Sequence, residues 1–203
     1  MNPRVRARAG VRAALALAIV AVALVGCSED PQLGAYNDGS GKGYMSGDGR
    51  VTEYPADSRQ PAAEWESVTD SGATVSSADS LGAVTVLNFW YAECAPCRAE
   101  AADLESVSQD FAAQGVVFLG VNLRDQAPTA LAFAEEFGVT YPSVIDANDA
   151  NVQLAYAATV PARSVPTTVV LDAEGRVAAR ILGQLESASI LESIIQDTID
   201  EAG

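Results

Sequence analysis

Two cysteines three positions apart, set where a buried strand gives way to a helix, constrain this chain more than any other feature. The run Val84-Thr85-Val86-Leu87-Asn88-Phe89-Trp90 is β-branched and aromatic, and too short for an ordinary helix. It continues through Tyr91-Ala92-Glu93 into Cys94-Ala95-Pro96-Cys97. From Ala99 onward the period becomes helical, with Ala101, Leu104, Val107, Ser108 and Phe111 spaced for one face. The pair therefore sits at a helix N-terminus, where unpaired amides and the helix dipole favour a thiolate. A zinc site would need about four ligands. The chain has no histidine and only one other cysteine, far away, so no metal is expected. A purely structural disulfide is the other alternative, but so short a loop gains little from closure. Redox chemistry is the better reading.

The third cysteine belongs to a different device. Residues 1–26 carry Arg4, Arg6, Arg8 and Arg12, then an uncharged apolar run from Ala13 to Val25. That reads as a secretion signal, short for a membrane span. It ends in Leu24-Val25-Gly26-Cys27, which resembles the bacterial lipobox, whose cysteine is lipidated and becomes the mature N-terminus. An uncleaved anchor containing a cysteine is the alternative. Either way the domain is expected outside the cell, tethered to the outer face of the membrane. Lipid on Cys27 would leave one cysteine pair, which removes the odd count in an exported chain.

Residues 27–61 are rich in Gly, Ser, Asp and Pro and show no apolar period, so a flexible tether is expected there, with the folded domain at 62–203. Lys42 lies among glycines, but without a preceding strand or a Gly-Lys-Ser/Thr it makes no phosphate loop. Beyond Cys27 the chain carries 27 acidic and eight basic residues, a net charge of −19. Nucleic acid is excluded as a partner, because phosphate neutralisation by Lys and Arg supplies that affinity.

Within the domain, Asp70-Ser71-Gly72 between Trp65–Val68 and Ala73–Val75 predicts an N-terminal β-hairpin. A short helical turn follows at 76–81. Helices are expected at 96–113 and 128–137, stopped by Gly115 and Gly138, and strands at 116–123 and 141–145. After a short helix through Tyr156, Pro166 opens a strand to Leu171, and Asp172-Ala173-Glu174-Gly175 turns it into another at 176–181. The final helix is amphipathic through Ile190, Leu191, Ile194, Ile195 and Ile199. Strands alternating with helices, closed by a hairpin and a helix, make an α/β sandwich.

These residues together resemble the thioredoxin superfamily and, within it, the membrane-tethered TlpA/ResA-like thiol-disulfide oxidoreductases. Asn88-Phe89-Trp90 leads into Cys94-Ala95-Pro96-Cys97 with Glu100 three residues later; Val165-Pro166-Thr167-Thr168 is similar to the cis-proline loop; Leu171 to Gly175 matches the turn that follows it. The resemblance covers residues 62–201. It implies a three-layer sandwich with a central mixed sheet, an attacking Cys94 with an exposed thiolate, a resolving Cys97, and a cis bond before Pro166. Val165 and Pro166 would face the cysteines and, with Trp90, Glu93 and Pro96, meet the substrate. Glu100 matches a buried glutamate that tunes the thiols; otherwise it only complements the helix dipole. The chain departs from the pattern at Glu93, where tryptophan is usual, at Ala101-Ala102, where proline is common, and in extra residues between Tyr156 and Pro161.

The function implied is reduction of disulfides in exported proteins, such as those of apocytochrome c, with electrons from a membrane donor protein and no cofactor beyond the cysteine pair. A disulfide-forming oxidant and a binding lipoprotein with an inert disulfide are the competing readings. A peroxiredoxin fits less well, because Tyr91 stands where that family needs Thr or Ser.

Overall fold

The computed structural model describes residue 48 and residues 50–201. Leu24-Val25-Gly26-Cys27 and the leader before it lie outside the described residues. Among the described residues, six strands form a mixed sheet in the order β1-β8-β7-β4-β5-β6. They are β1 (Val51–Glu53), β4 (Thr85–Trp90), β5 (Val117–Asn122), β6 (Ser143–Ile145), β7 (Thr167–Leu171) and β8 (Val177–Leu182). A separate hairpin pairs β2 (Glu66–Val68) with β3 (Thr74–Ser76). The helices are α1 (Ala95–Ala112), α2 (Ala127–Phe137), α3 (Asn151–Ala155) and α4 (Ala188–Asp200), with a 3-10 turn at Ser77–Ser80.

β4 is central: it runs parallel to β5 and antiparallel to β7. All six of its residues are buried, which explains why its sequence is mostly apolar on both faces instead of alternating apolar with polar. Val86 joins Leu104, Val107, Phe111, Leu191 and Ile195 in a core between the sheet and helices α1 and α4. Leu87 and Phe89 point the other way, onto Trp65, Val152 and Tyr156. The sheet is thus covered on both faces, as a thioredoxin-like sandwich requires. The hairpin docks on the edge of β6 through a bridge between Thr69 and Val144.

The boundary expected at residue 62 lies too late. β1 adds an antiparallel edge strand to β8, with Val51 opposite Ile181. Downstream, the Arg59 guanidinium is buried and donates to Asp172 at 3.0 Å and to Glu201 at 2.5 Å. Residues 50–61 therefore belong to the fold. A three-residue strand with one aliphatic side chain is too short to show a period, and a buried arginine is invisible until its partner is placed.

Candidate active site

The site is assembled at the C-terminal ends of the parallel strands β4 and β5, where open α/β sheets leave their loops free for chemistry. Chain leaving β4 turns at Tyr91–Glu93 and enters α1 with Cys94 as its N-cap, whose sulfur accepts a hydrogen bond from the Cys97 amide at 3.2 Å. The turn is held by the loop after β5: the Ala92 amide donates to Asp125 Oδ2 at 2.7 Å, and Asn122 Nδ2 donates to the same oxygen at 2.9 Å. Asn122 and Asp125 were not anticipated from the sequence. A polar Asn ending an otherwise buried strand, beside the strand that carries the cysteines, is the signal that could have found them.

Cys94 and Cys97 form a disulfide with Cα atoms 5.2 Å apart. Both are only 3% exposed, so in this state Cys94 does not present the exposed sulfur that the resemblance implied. It is covered within an apolar cluster of Trp90, Ala92, Ala101, Ala130 and Phe133, with Val165 packed against it. Trp90, expected to meet the substrate, is likewise buried, at 5% exposed, within this cluster. Its ring lies 4.3 Å from that of Phe133, and its Nε1 donates to Ser143 Oγ at 3.3 Å. Gly120 makes room for this packing: a Cβ there would stand 2.8 Å from Trp90 Nε1 and 2.1 Å from Ser143 Oγ.

Pro96 is half-buried and Glu93 exposed. Glu93 opens onto a groove of about 430 Å³ between α1 and α2 that is also lined by Ala92, Arg98, Phe133 and Glu136. Arg98 donates to Glu136 at 2.7 Å and to the Ala92 carbonyl at 3.5 Å, and stacks over Phe137. Arg124 lies over the Tyr91 ring at 3.9 Å. The Val165–Pro166 bond is cis; Val165 is half-buried and Pro166 buried, and the Pro166 carbonyl accepts from the Gly183 amide at 2.8 Å.

Beneath the disulfide, Glu100 has no solvent exposure. It follows Cys97 by three residues on α1 and so shares its face. Its carboxyl accepts from Asn88 Nδ2 at 3.0 Å and from the Leu185 amide at 2.8 Å. Burial outweighs these two donors and, with Asp103 adding repulsion, pushes its pKa up to about 7. Tyr141, which the sequence did not single out, faces the same carboxyl; burial first, and then the charges of Glu100 and Glu105, raise its phenol well above the ordinary range. Among the described residues no three His, Cys, Asp or Glu side chains converge to hold a metal, and no helix is long and apolar enough to cross a membrane.

The redoxin family model matches residues 55–195, most of the chain. The chain belongs to the redoxin family. This redoxin is 36% identical over 119 residues to the thiol-disulfide oxidoreductase ResA of Geobacillus thermodenitrificans, covering 57% of this chain and 66% of that protein. The chain thus spans just under two thirds of the length of that curated relative. Among solved structures it is similar to a DsbF homologue from Corynebacterium diphtheriae, with 33% identity, a TM-score of 0.66, and coverage of 77% of this chain and 98% of that one. It is also similar to a secreted thiol-disulfide isomerase from Corynebacterium glutamicum, at 30% identity and a TM-score of 0.69, covering 77% and 96% of the two chains. The chain is therefore a TlpA/ResA-like redoxin of the thioredoxin superfamily.

Proposed function

We propose that this protein is an extracytoplasmic thiol-disulfide oxidoreductase that works by dithiol-disulfide exchange through Cys94 and Cys97, acting as a reductase of disulfides in exported proteins. The observation that carries the reading is the Cys94–Cys97 pair at the N-terminus of α1, within an apolar cluster against which Val165 of the cis-Pro166 loop packs, in a redoxin fold. The Cys94 thiolate attacks one sulfur of the partner disulfide and the other sulfur leaves with the electron pair. Cys97, having lost its proton to the Glu100 carboxylate, then attacks Cys94 and releases the second partner thiol. Two electrons pass to the partner, whose two leaving thiolates take up one proton from Glu100 and one from solvent, and the protein is left oxidised. A second dithiol, on a membrane electron-donor protein, restores it. Pro166 offers no amide and the Val165 backbone pairs with an extended substrate, beside Pro96 and Glu93.

What surrounds the sulfurs supports the reducing direction. A strong oxidant stabilises its thiolate; a reductant does not. Here desolvation, Glu93 and Glu100 all disfavour a thiolate, Arg98 is engaged by Glu136, and only the helix terminus favours it. Apocytochrome c, whose haem-binding cysteines must stay reduced, is a substrate of the right kind. Lipid on Cys27 would hold the domain at the outer face of the membrane. The test is trapping: Cys97→Ser accumulates mixed disulfides with exported proteins in cells and Cys94→Ser does not. Equal trapping by both variants contradicts the roles assigned, and no insulin reduction by the intact protein with dithiothreitol contradicts the activity.

A further inference from the structure

Building on the thiol-disulfide reading, we infer that Arg50 is a positioning residue of the redox site, orienting through two peptide groups the amide donors that hold Glu100 and Pro166. Arg50 lies at the start of the folded segment and touches neither cysteine. Its guanidinium grips the loop that joins β8 to α4. Nε donates to the Leu182 carbonyl at 3.2 Å, Nη2 donates to the Gln184 carbonyl at 2.6 Å, and Nη1 pairs with the Glu186 carboxylate. The Arg50 carbonyl in turn accepts from the Leu182 amide at 2.8 Å. The fork lies flat against Gly183, whose φ is 78° and where a Cβ would stand 3.4 Å from Nη2. Glycine is needed there for its conformation, since a Cβ would meet the guanidinium only at ordinary contact distance.

What makes this grip consequential is the far end of each peptide. A trans peptide points its carbonyl and its N–H in opposite directions. The peptide whose carbonyl is Leu182 has Gly183 as its amide, and that amide donates to the Pro166 carbonyl at 2.8 Å. The peptide whose carbonyl is Gln184 has Leu185 as its amide, and that amide donates to Glu100 Oε2 at 2.8 Å. One guanidinium thus holds the outer ends of two peptide groups whose inner ends hold the cis-proline loop and the buried carboxyl. A cation on a carbonyl also polarises the peptide and strengthens its N–H as a donor. The Leu185 side chain is 2% exposed in the core, so removing Arg50 spoils the aim of the amide while the carboxyl stays buried. Glu100 then loses a donor to its charged form, and its proton affinity rises.

The other groups that face Glu100 are Asn88 on β4, itself bonded to Thr168 on β7, Asp103 on α1, and Tyr141 ahead of β6. The cysteines join them only when reduced. The test therefore uses the full-length oxidised protein, in which they do not titrate, with the glutamate carboxyls labelled with carbon-13 and followed by NMR against pH. The signal of Glu100 is assigned by its loss in Glu100→Gln. Arg50→Ala should raise the Glu100 midpoint by roughly half a pH unit or more. Arg50→Lys keeps a charge but cannot span two carbonyls and a carboxylate, and should raise it less. Arg59→Ala loosens the same N-terminal segment without touching the loop, and should leave the midpoint where it is in the parent. A midpoint unmoved in Arg50→Ala, or moved equally by Arg59→Ala, overturns the inference. Should Arg50→Ala fail to fold, Arg50→Lys decides, and a midpoint equal to the parent's overturns it. The titration needs no redox partner, so a parent protein that exchanges no disulfides would sink the functional reading while leaving this result interpretable.

Discussion

Glu100 has no solvent exposure, and burial outweighs its two donors, so its carboxyl keeps its proton up to about 7 instead of releasing it near the ordinary 4.5. Between those two pH values the folded protein binds a proton that the unfolded chain has released. Stability linked to Glu100 is therefore fully present below the unfolded value and is lost as pH rises through the folded one. The ionised carboxylate costs on the order of 3 kcal/mol at most above pH 7, from the size of the shift. Glu100→Gln should flatten this slope: urea denaturation of parent and variant at about pH 5 and pH 8 should show the parent losing stability over that range and the variant losing less. Parallel losses would mean that Glu100 titrates as an ordinary carboxylate.

At the scale of elements, the least anticipated piece is the strap formed by residues 50–61. Burial opposes the charge of Asp172, but the Arg176 amide and the Arg59 and Arg176 guanidinium groups overcome it and hold its carboxyl below the ordinary value. Its contribution is therefore present above the unfolded value and lost as pH falls through the folded one. A chain starting at Ala62 loses both β1 and Arg59, leaving Asp172 with one cation. Breaking a buried pair costs about 3–5 kcal/mol, so that chain should unfold at clearly lower denaturant than one starting at Asp48. Equal midpoints would make the strap an ornament. The elements that sequence did reveal share a cause: β4, α1 and α4 each carry long periodic or mostly apolar patterns, and Gly138 stops α2 with φ at 71°. β1 has no such pattern. The burial of Trp90 was hidden for a related reason: resemblance identifies a residue beside the cysteines but not which way its ring faces, and Gly120 and Ser143 bear on that from other strands. Tyr141, Asn122 and Asp125 reach the site only through tertiary packing.

Across the whole molecule, a net charge of −19 beyond Cys27, sulfurs 3% exposed, and a carboxyl beneath them all act against a stable thiolate. One helix terminus acts for it. The balance sets the free energy of the disulfide relative to the dithiol, and with it the direction in which electrons run. Equilibrating the protein in dithiothreitol redox buffers and trapping the free thiols gives the reduction potential of the Cys94–Cys97 pair. A potential near that of thioredoxin, about −270 mV, is the expected result; a value near the about −120 mV of a strong disulfide-forming oxidant, or a disulfide that does not exchange at all, would contradict it.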